Sequence, residues 1–163
     1  MIGLDDLSVV SNQLNRIPHN VSEIVKRCSF GFPTVIRSFP VLDGKPFPTL
    51  YWLTCPFMRS EISKIESNGG IKKYEEMLSK SKELLDLQMK AHLEANKRIR
   101  SIAGDEMKDL FKGGMGGIKD FRHVKCLHMH VAYHLGGIEN PVGKGVLSEI
   151  KMECKDGICG KGG

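Results

Sequence analysis

No apolar run in this chain approaches the roughly 20 residues that a bilayer-crossing helix needs. The opening residues, Met1-Ile2-Gly3-Leu4-Asp5-Asp6, place acids where an export signal needs bases. A soluble, cytoplasmic protein with no membrane partner is therefore expected. Aromatics are sparse at 7%, with a single tryptophan, Trp52. No two cysteines stand in a Cys-x-x-Cys pair, and their count of five is odd, which argues against a disulfide framework. Neither nucleotide fingerprint is present: there is no Gly-Lys-Ser/Thr, and no Gly-x-Gly-x-x-Gly following a strand. No internal repeat is visible. What remains is an ordinary globular balance of 40% apolar and 26% charged residues, which excludes wholesale disorder, collagen and coiled coil. The 163 residues suit one domain. A net charge of +5 permits an anionic partner without demanding one.

Hydrophobic spacing gives the elements. Leu4, Leu7, Val10 and Leu14 predict an amphipathic helix over residues 3–15. Val21, Ile24 and Val25 suggest a second short helix or an extended piece running into Cys28. Residues 33–39 and 49–54 read as strands forming an antiparallel pair, with Asp43-Gly44 as turn chemistry between them. Helical spacing resumes at residue 57, stops at Asn68-Gly69-Gly70, and continues over 71–103 as one long helix or as two shorter ones broken near Ser79-Lys80-Ser81. Glycines 113–117, around Met115, form a loop. The spacing then predicts a helix over 118–135 and a turn at Asn140-Pro141-Val142-Gly143. The fold class is α+β: a mostly helical single domain over residues 1–150 with a small antiparallel strand pair. Residues 151–163, rich in Gly and Lys, read as a flexible C-terminal tail.

Three segments carry a resemblance: Arg27-Cys28, the stretch from Pro46-Phe47-Pro48-Thr49 to Leu53-Thr54-Cys55-Pro56, and Val124-Lys125-Cys126-Leu127-His128-Met129-His130. They resemble a bacterial family of uncharacterised proteins, domain-of-unknown-function family 501, over roughly residues 8–145. Gln13-Leu14-Asn15-Arg16 and Asn140-Pro141-Val142-Gly143 are similar to its flanking motifs. The resemblance implies no established activity.

The chemistry-bearing residues concentrate around Cys126. On a helix turning about 100° per residue, Cys126, His130, His123 and His134 share one sector, opposite Val124, Leu127, Val131 and Leu135. Cys126 and His130 are at i and i+4, which lets both reach one ion. Cys28 and Cys55 lie at element ends. Cys28, Cys55, Cys126 and His130 thus make a candidate Cys3His metal site for zinc or an iron–sulfur cluster. Two other readings of these thiols stand beside it: buried small hydrophobes, and a nucleophile at Cys126 activated by His130. His128 falls on the apolar side and reads first as a core imidazole bonded to a backbone carbonyl, with a group supporting the ligands, or a ligand itself if the helix is distorted, as the other reading. Cys154 and Cys159 could clip an ion in the tail. A different class of function, binding of RNA or a phosphate-containing ligand, would use the glycine loop 113–117 with Lys112, Lys119, Arg122 and Lys125.

Overall fold

The computed structural model describes residues 3–161. Helix α1, Leu4–Leu14, carries Asp5 and Asp6 in its first turn, where the helix dipole favours them, and ends on Asn15 in the left-handed region. The β-branched run after it is extended. Val21–Arg27 is strand β1, and Pro33–Ser38 is β2. Val41–Leu42 and Lys45–Pro46 form a two-stranded hairpin, β3 and β4. Its turn residues Asp43 and Gly44 have φ of 51° and 72°, the pair of positive angles that an Asp-Gly hairpin turn takes. Tyr51–Leu53 is β5. β1, β2 and β5 make one antiparallel sheet with β2 in the middle, in which Ile24 faces Ile36 and Ile36 faces Trp52.

The segment ending at Pro56 is a structured element. The Trp52 indole N–H donates to the Thr49 carbonyl at 3.1 Å, and its ring stacks on Phe47 at 5.7 Å. The half-buried ring is therefore expected to emit at shorter wavelength than free tryptophan and to redden on unfolding. A native emission maximum already at the fully exposed wavelength would contradict this placement.

Helix α2, Pro56–Ser67, starts behind Cys55 with proline at its first position, where a missing N–H is harmless. Its core face is Met58 and Ile62. Gly69, at φ 81°, turns the chain into α3, Gly70–Lys80. Ser81 then breaks the helix and caps α4, Lys82–Ala103, by accepting the Leu84 N–H at 3.3 Å. Short 3₁₀ turns follow at Lys108–Leu110 and Met115–Gly117.

The next segment departs from the helix predicted over 118–135. Residues 119–126 are irregular, and α5 spans only Leu127–Leu135. Gly116, Gly117 and Lys125 have φ of 59°, 77° and 65°, which no α-helix tolerates. The Asp120 carboxylate takes the Arg122 N–H at 3.1 Å, holding a local turn that competes with helix. Cys126 is extended, at φ −155°, and caps α5 rather than riding on it. The second departure is at Asn140-Pro141-Val142-Gly143, which opens helix α6, Pro141–Glu149, instead of forming a turn.

α5 is the centre of the molecule. It packs against β5, α6 and α2. Leu127, Val131, Ala132 and Tyr133 are all buried. Tyr133 ties the helix to the sheet: its hydroxyl accepts the Leu50 N–H at 2.8 Å, and its ring meets Tyr51 edge-on at 5.1 Å. Among the described residues no helix is long and apolar enough to cross a membrane.

Candidate functional site

The positions around Cys126 do not share a solvent face, because α5 is enclosed on nearly every side. His130 is fully buried. Its Nε2 donates to the Val124 carbonyl at 2.7 Å, and its Nδ1 lies 3.1 Å from the Gln88 amide on α4. Burial pulls its pKa down to about 4, so the ring is neutral and both nitrogens are engaged in holding the core. His134 accepts the Asn140 N–H at 3.1 Å through Nδ1. His123 is exposed beside Asp120 and Glu75. Only the His130 backbone N–H reaches Cys126, at its carbonyl; none of the three imidazoles is hydrogen-bonded to the Cys126 thiol.

Cys126 instead meets His128 and Glu66. The Cys126 Sγ lies 3.8 Å from His128 Nδ1, and Glu66 Oε1 lies 3.2 Å from the same nitrogen. Among the described residues this is the one group of three Cys, His or carboxylate donors whose ligand atoms all lie within 4.8 Å of one another. Two elements build it. α2 supplies Arg59, Ser63 and Glu66, at spacings of four and three, so all three project from one helix face. The start of α5 supplies Cys126 and His128. Glu66 locks the two together, since Oε1 also accepts the Leu127 N–H at 2.8 Å and so satisfies a free donor at the end of α5.

The hydrogen bonds define the state of the ring. His128 Nε2 lies 3.0 Å from the Arg59 carbonyl, which can only accept, so Nε2 carries a proton. This carbonyl bond is the one expected of a core histidine, yet the ring is only half-buried and its other nitrogen looks into the group. In a neutral ring Nδ1 bears a lone pair, and here it faces a carboxylate and a sulfur. The Cys126 S–H can donate to that lone pair, but the Glu66 carboxylate still faces it, which favours a second ring proton or a cation between them. Burial opposes protonation, but hydrogen bonds to Cys126 and the Arg59 carbonyl, with the charges of Cys126 and Glu66, push the His128 pKa above its ordinary value.

Cys28 and Cys55 stand elsewhere. Cys55 is the residue before α2 and Glu66 is near that helix's end, so a rise of about 1.5 Å per residue sets them about 16 Å apart along the axis. Cys28 follows β1 and opens the turn into β2, with its N–H on the Phe32 carbonyl at 3.0 Å. The structure therefore brings the Cys126 thiol together with neither of them, nor with the His130 ring. The Cys55 thiol is pushed up by burial, and further by the neighbouring Cys159 and Cys154.

The glycine loop spends its amides inward. Gly114 N–H donates to the Ile118 carbonyl, Met115 N–H to His92 Nδ1, Gly116 N–H towards the Tyr133 hydroxyl, and Gly117 N–H to the Gly114 carbonyl. These donors are occupied, so a phosphate at this loop would have to rely on Lys112 and Lys119, which line a cavity of about 300 Å³ there.

Residues 24–148 match the family described as protein of unknown function (DUF501), and the chain belongs to that family. No curated protein and no solved structure matches it.

Proposed function

We propose that the protein is a metal-binding protein whose ion is held by Glu66, Cys126 and His128. One observation carries this reading. His128 donates one nitrogen to a backbone carbonyl and turns the other, at 3.2 Å and 3.8 Å, toward a carboxylate and a thiol. A ligating histidine is typically held this way, with its second N–H on a carbonyl that fixes tautomer and ring angle. A mixed S, N, O set suits zinc, and three protein ligands leave the fourth tetrahedral position to water, as in catalytic zinc sites. Cys126 and a zinc-class ion are common to this site and the Cys3His set expected from the sequence. Glu66 and His128 replace the other three donors.

Cobalt(II) titration of metal-free protein tests it. The expected result is visible absorption with a thiolate charge-transfer band. Cys126→Ser, His128→Ala and Glu66→Gln should each weaken binding at least about tenfold, the usual effect of losing a ligand or its support. Wild-type affinity in all three variants would overturn the assignment.

A second reading has its own observation, the Cys126 Sγ at 3.8 Å from His128 Nδ1. An imidazolium–thiolate pair would supply the positive charge without a metal and make Cys126 a nucleophile. It predicts rapid alkylation of Cys126 at neutral pH, unaffected by chelators and lost in His128→Ala. Under the metal reading, bound ion slows that alkylation.

A further inference from the structure

The other four cysteines gather at the opposite end of α2. The C-terminal segment folds back over the β1–β2 turn and α1. Ser29 donates its backbone N–H to the Glu153 carboxylate at 2.7 Å and its hydroxyl to the other carboxylate oxygen. Cys28 and Cys154 are the sequence neighbours of these two bonded residues. The space above Gly157 is filled by the Phe30 ring, 2.9 Å from where a Cβ would stand. Beyond it, Cys159 Sγ accepts from the Gln13 amide nitrogen at 3.4 Å. The same nitrogen donates to the Pro33 carbonyl at 2.8 Å, and that carbonyl also takes the Thr54 hydroxyl at 3.4 Å, one residue before Cys55. Cys154 and Cys159 both lie within charge range of Cys55. Gln13 is 5% exposed, and its Oε1 has no hydrogen-bond partner.

We infer that Cys28, Cys55, Cys154 and Cys159 form a second, tetrathiolate metal site of the zinc class, which fastens the C-terminal segment to the sheet. Four thiols from three separated stretches reach one corner of a protein that otherwise has a single cysteine. A buried amide donating to sulfur suits a sulfur that carries negative charge, as a zinc-bound thiolate does. No three of the four sulfurs stand at ligand spacing in this arrangement, so binding draws residues 154–159 inward. The ion replaces four thiol protons, which are released to solvent. The site is independent of the Glu66 group: it shares no residue with it and lies at the other end of α2.

The test uses the full chain, reduced and then loaded with zinc(II), with cadmium(II) as the optical probe. Cadmium titration of Cys126→Ser, which lacks the other site's thiol, should give a thiolate-to-metal band that saturates with the four remaining thiols shielded from a thiol reagent. Cys154→Ser and Cys159→Ser should each lose about one equivalent of tightly held zinc, and the double variant should lose no more than either single variant. Cys126→Ser should keep that equivalent, which separates this site from the one proposed above. Circular dichroism and the Trp52 emission verify that each variant is folded. Unchanged zinc content in both tail variants overturns the inference. So does free reaction of all four thiols in zinc-loaded wild type. A mass two hydrogens light, marking a disulfide among these cysteines in freshly reduced, zinc-loaded protein, overturns it as well.

Discussion

Asn140→Ala is expected to destabilise the protein by about 3 kcal/mol, one of the largest effects of any single side-chain truncation here. Asn140 is buried between α5 and α6. Its Oδ1 accepts the Gly143 N–H at 2.7 Å and caps α6. Its Nδ2 donates to the His130 carbonyl at 3.0 Å and to the Ile138 carbonyl at 3.2 Å. Losing a cap costs about 1 kcal/mol, and each buried group left unpaired adds about 1 kcal/mol or more. Water cannot readily replace the side chain, because Gly143 lies so close to α5 that a Cβ there would stand 2.5 Å from the His130 carbonyl oxygen. Asn140→Asp separates the two functions. It keeps the cap acceptor but sets a carboxylate oxygen against two carbonyls, so it should be at least as harmful as alanine at neutral pH. Urea unfolding at constant slope measures both. A cost below about 1 kcal/mol for Asn140→Ala would show that this junction is not what joins α6 to the core.

The same residue shows why part of the fold was legible and part was not. Asn before Pro is a helix-start signal, an N-cap followed by a residue with no N–H to lose. Gly143 and Gly145 obscured it, because glycine inside nine residues reads as a turn. Their reason is tertiary: Gly143 lets α6 approach α5, and Gly145 leaves room for the Tyr74 ring. The false helix over 119–126 has the converse cause. Val124 points into the core and completes an apparent apolar row with Leu127 and Val131. It does so from irregular chain, and Lys125 at φ 65° is a conformation no residue type announces. By contrast α1, the α3–α4 break, the strand pair and the Asp43-Gly44 turn follow from local spacing and turn chemistry alone.

For the site, the sequence located Cys126 but not its partners. Grouping Cys126 with His130 on one helical wheel requires a helix that runs through 118–135, whereas α5 starts only at Leu127. Once Cys126 is the extended cap, His128 and not His130 is the imidazole within reach. Glu66 did leave a trace. It stands four residues after Ile62 and next to Ile65, so a carboxylate borders the apolar row Met58, Ile62 and Ile65 of α2. An acid beside a core stripe wants a partner, here the Leu127 N–H and the His128 ring.

Mild acid should destabilise the protein through His92. This imidazole is fully buried on α4, stacked on Phe121 at 4.5 Å and edge-on to His130 at 5.9 Å. Its Nδ1 accepts the Met115 N–H at 3.1 Å, which fixes that nitrogen as unprotonated. Burial, with a smaller contribution from His130, pulls its pKa from 6.5 down to about 3. A folded pKa below the unfolded one gives stability that is complete above pH 6.5 and lost as pH falls toward 3. By pH 5 the unfolded imidazole is protonated and the folded one is not, a loss of about 2 kcal/mol from His92 alone. His130, pulled down to about 4, acts in the same direction. The raised pKa of His128 does not cancel this, since its contribution changes only above about pH 6.5. The lowered carboxylates Asp6, Asp120, Glu149 and Glu153 begin to matter only below about pH 4.5, so the window between is the histidines' own. Urea midpoints should therefore fall steeply from pH 7 to pH 5. His92→Asn keeps an acceptor for the Met115 N–H but cannot titrate, so it should remove about one proton's worth of that slope, about 1.4 kcal/mol per pH unit. An unchanged slope in His92→Asn would show that the imidazole is already protonated in the folded core, and that the Met115 N–H bond is not what holds the glycine loop against α4.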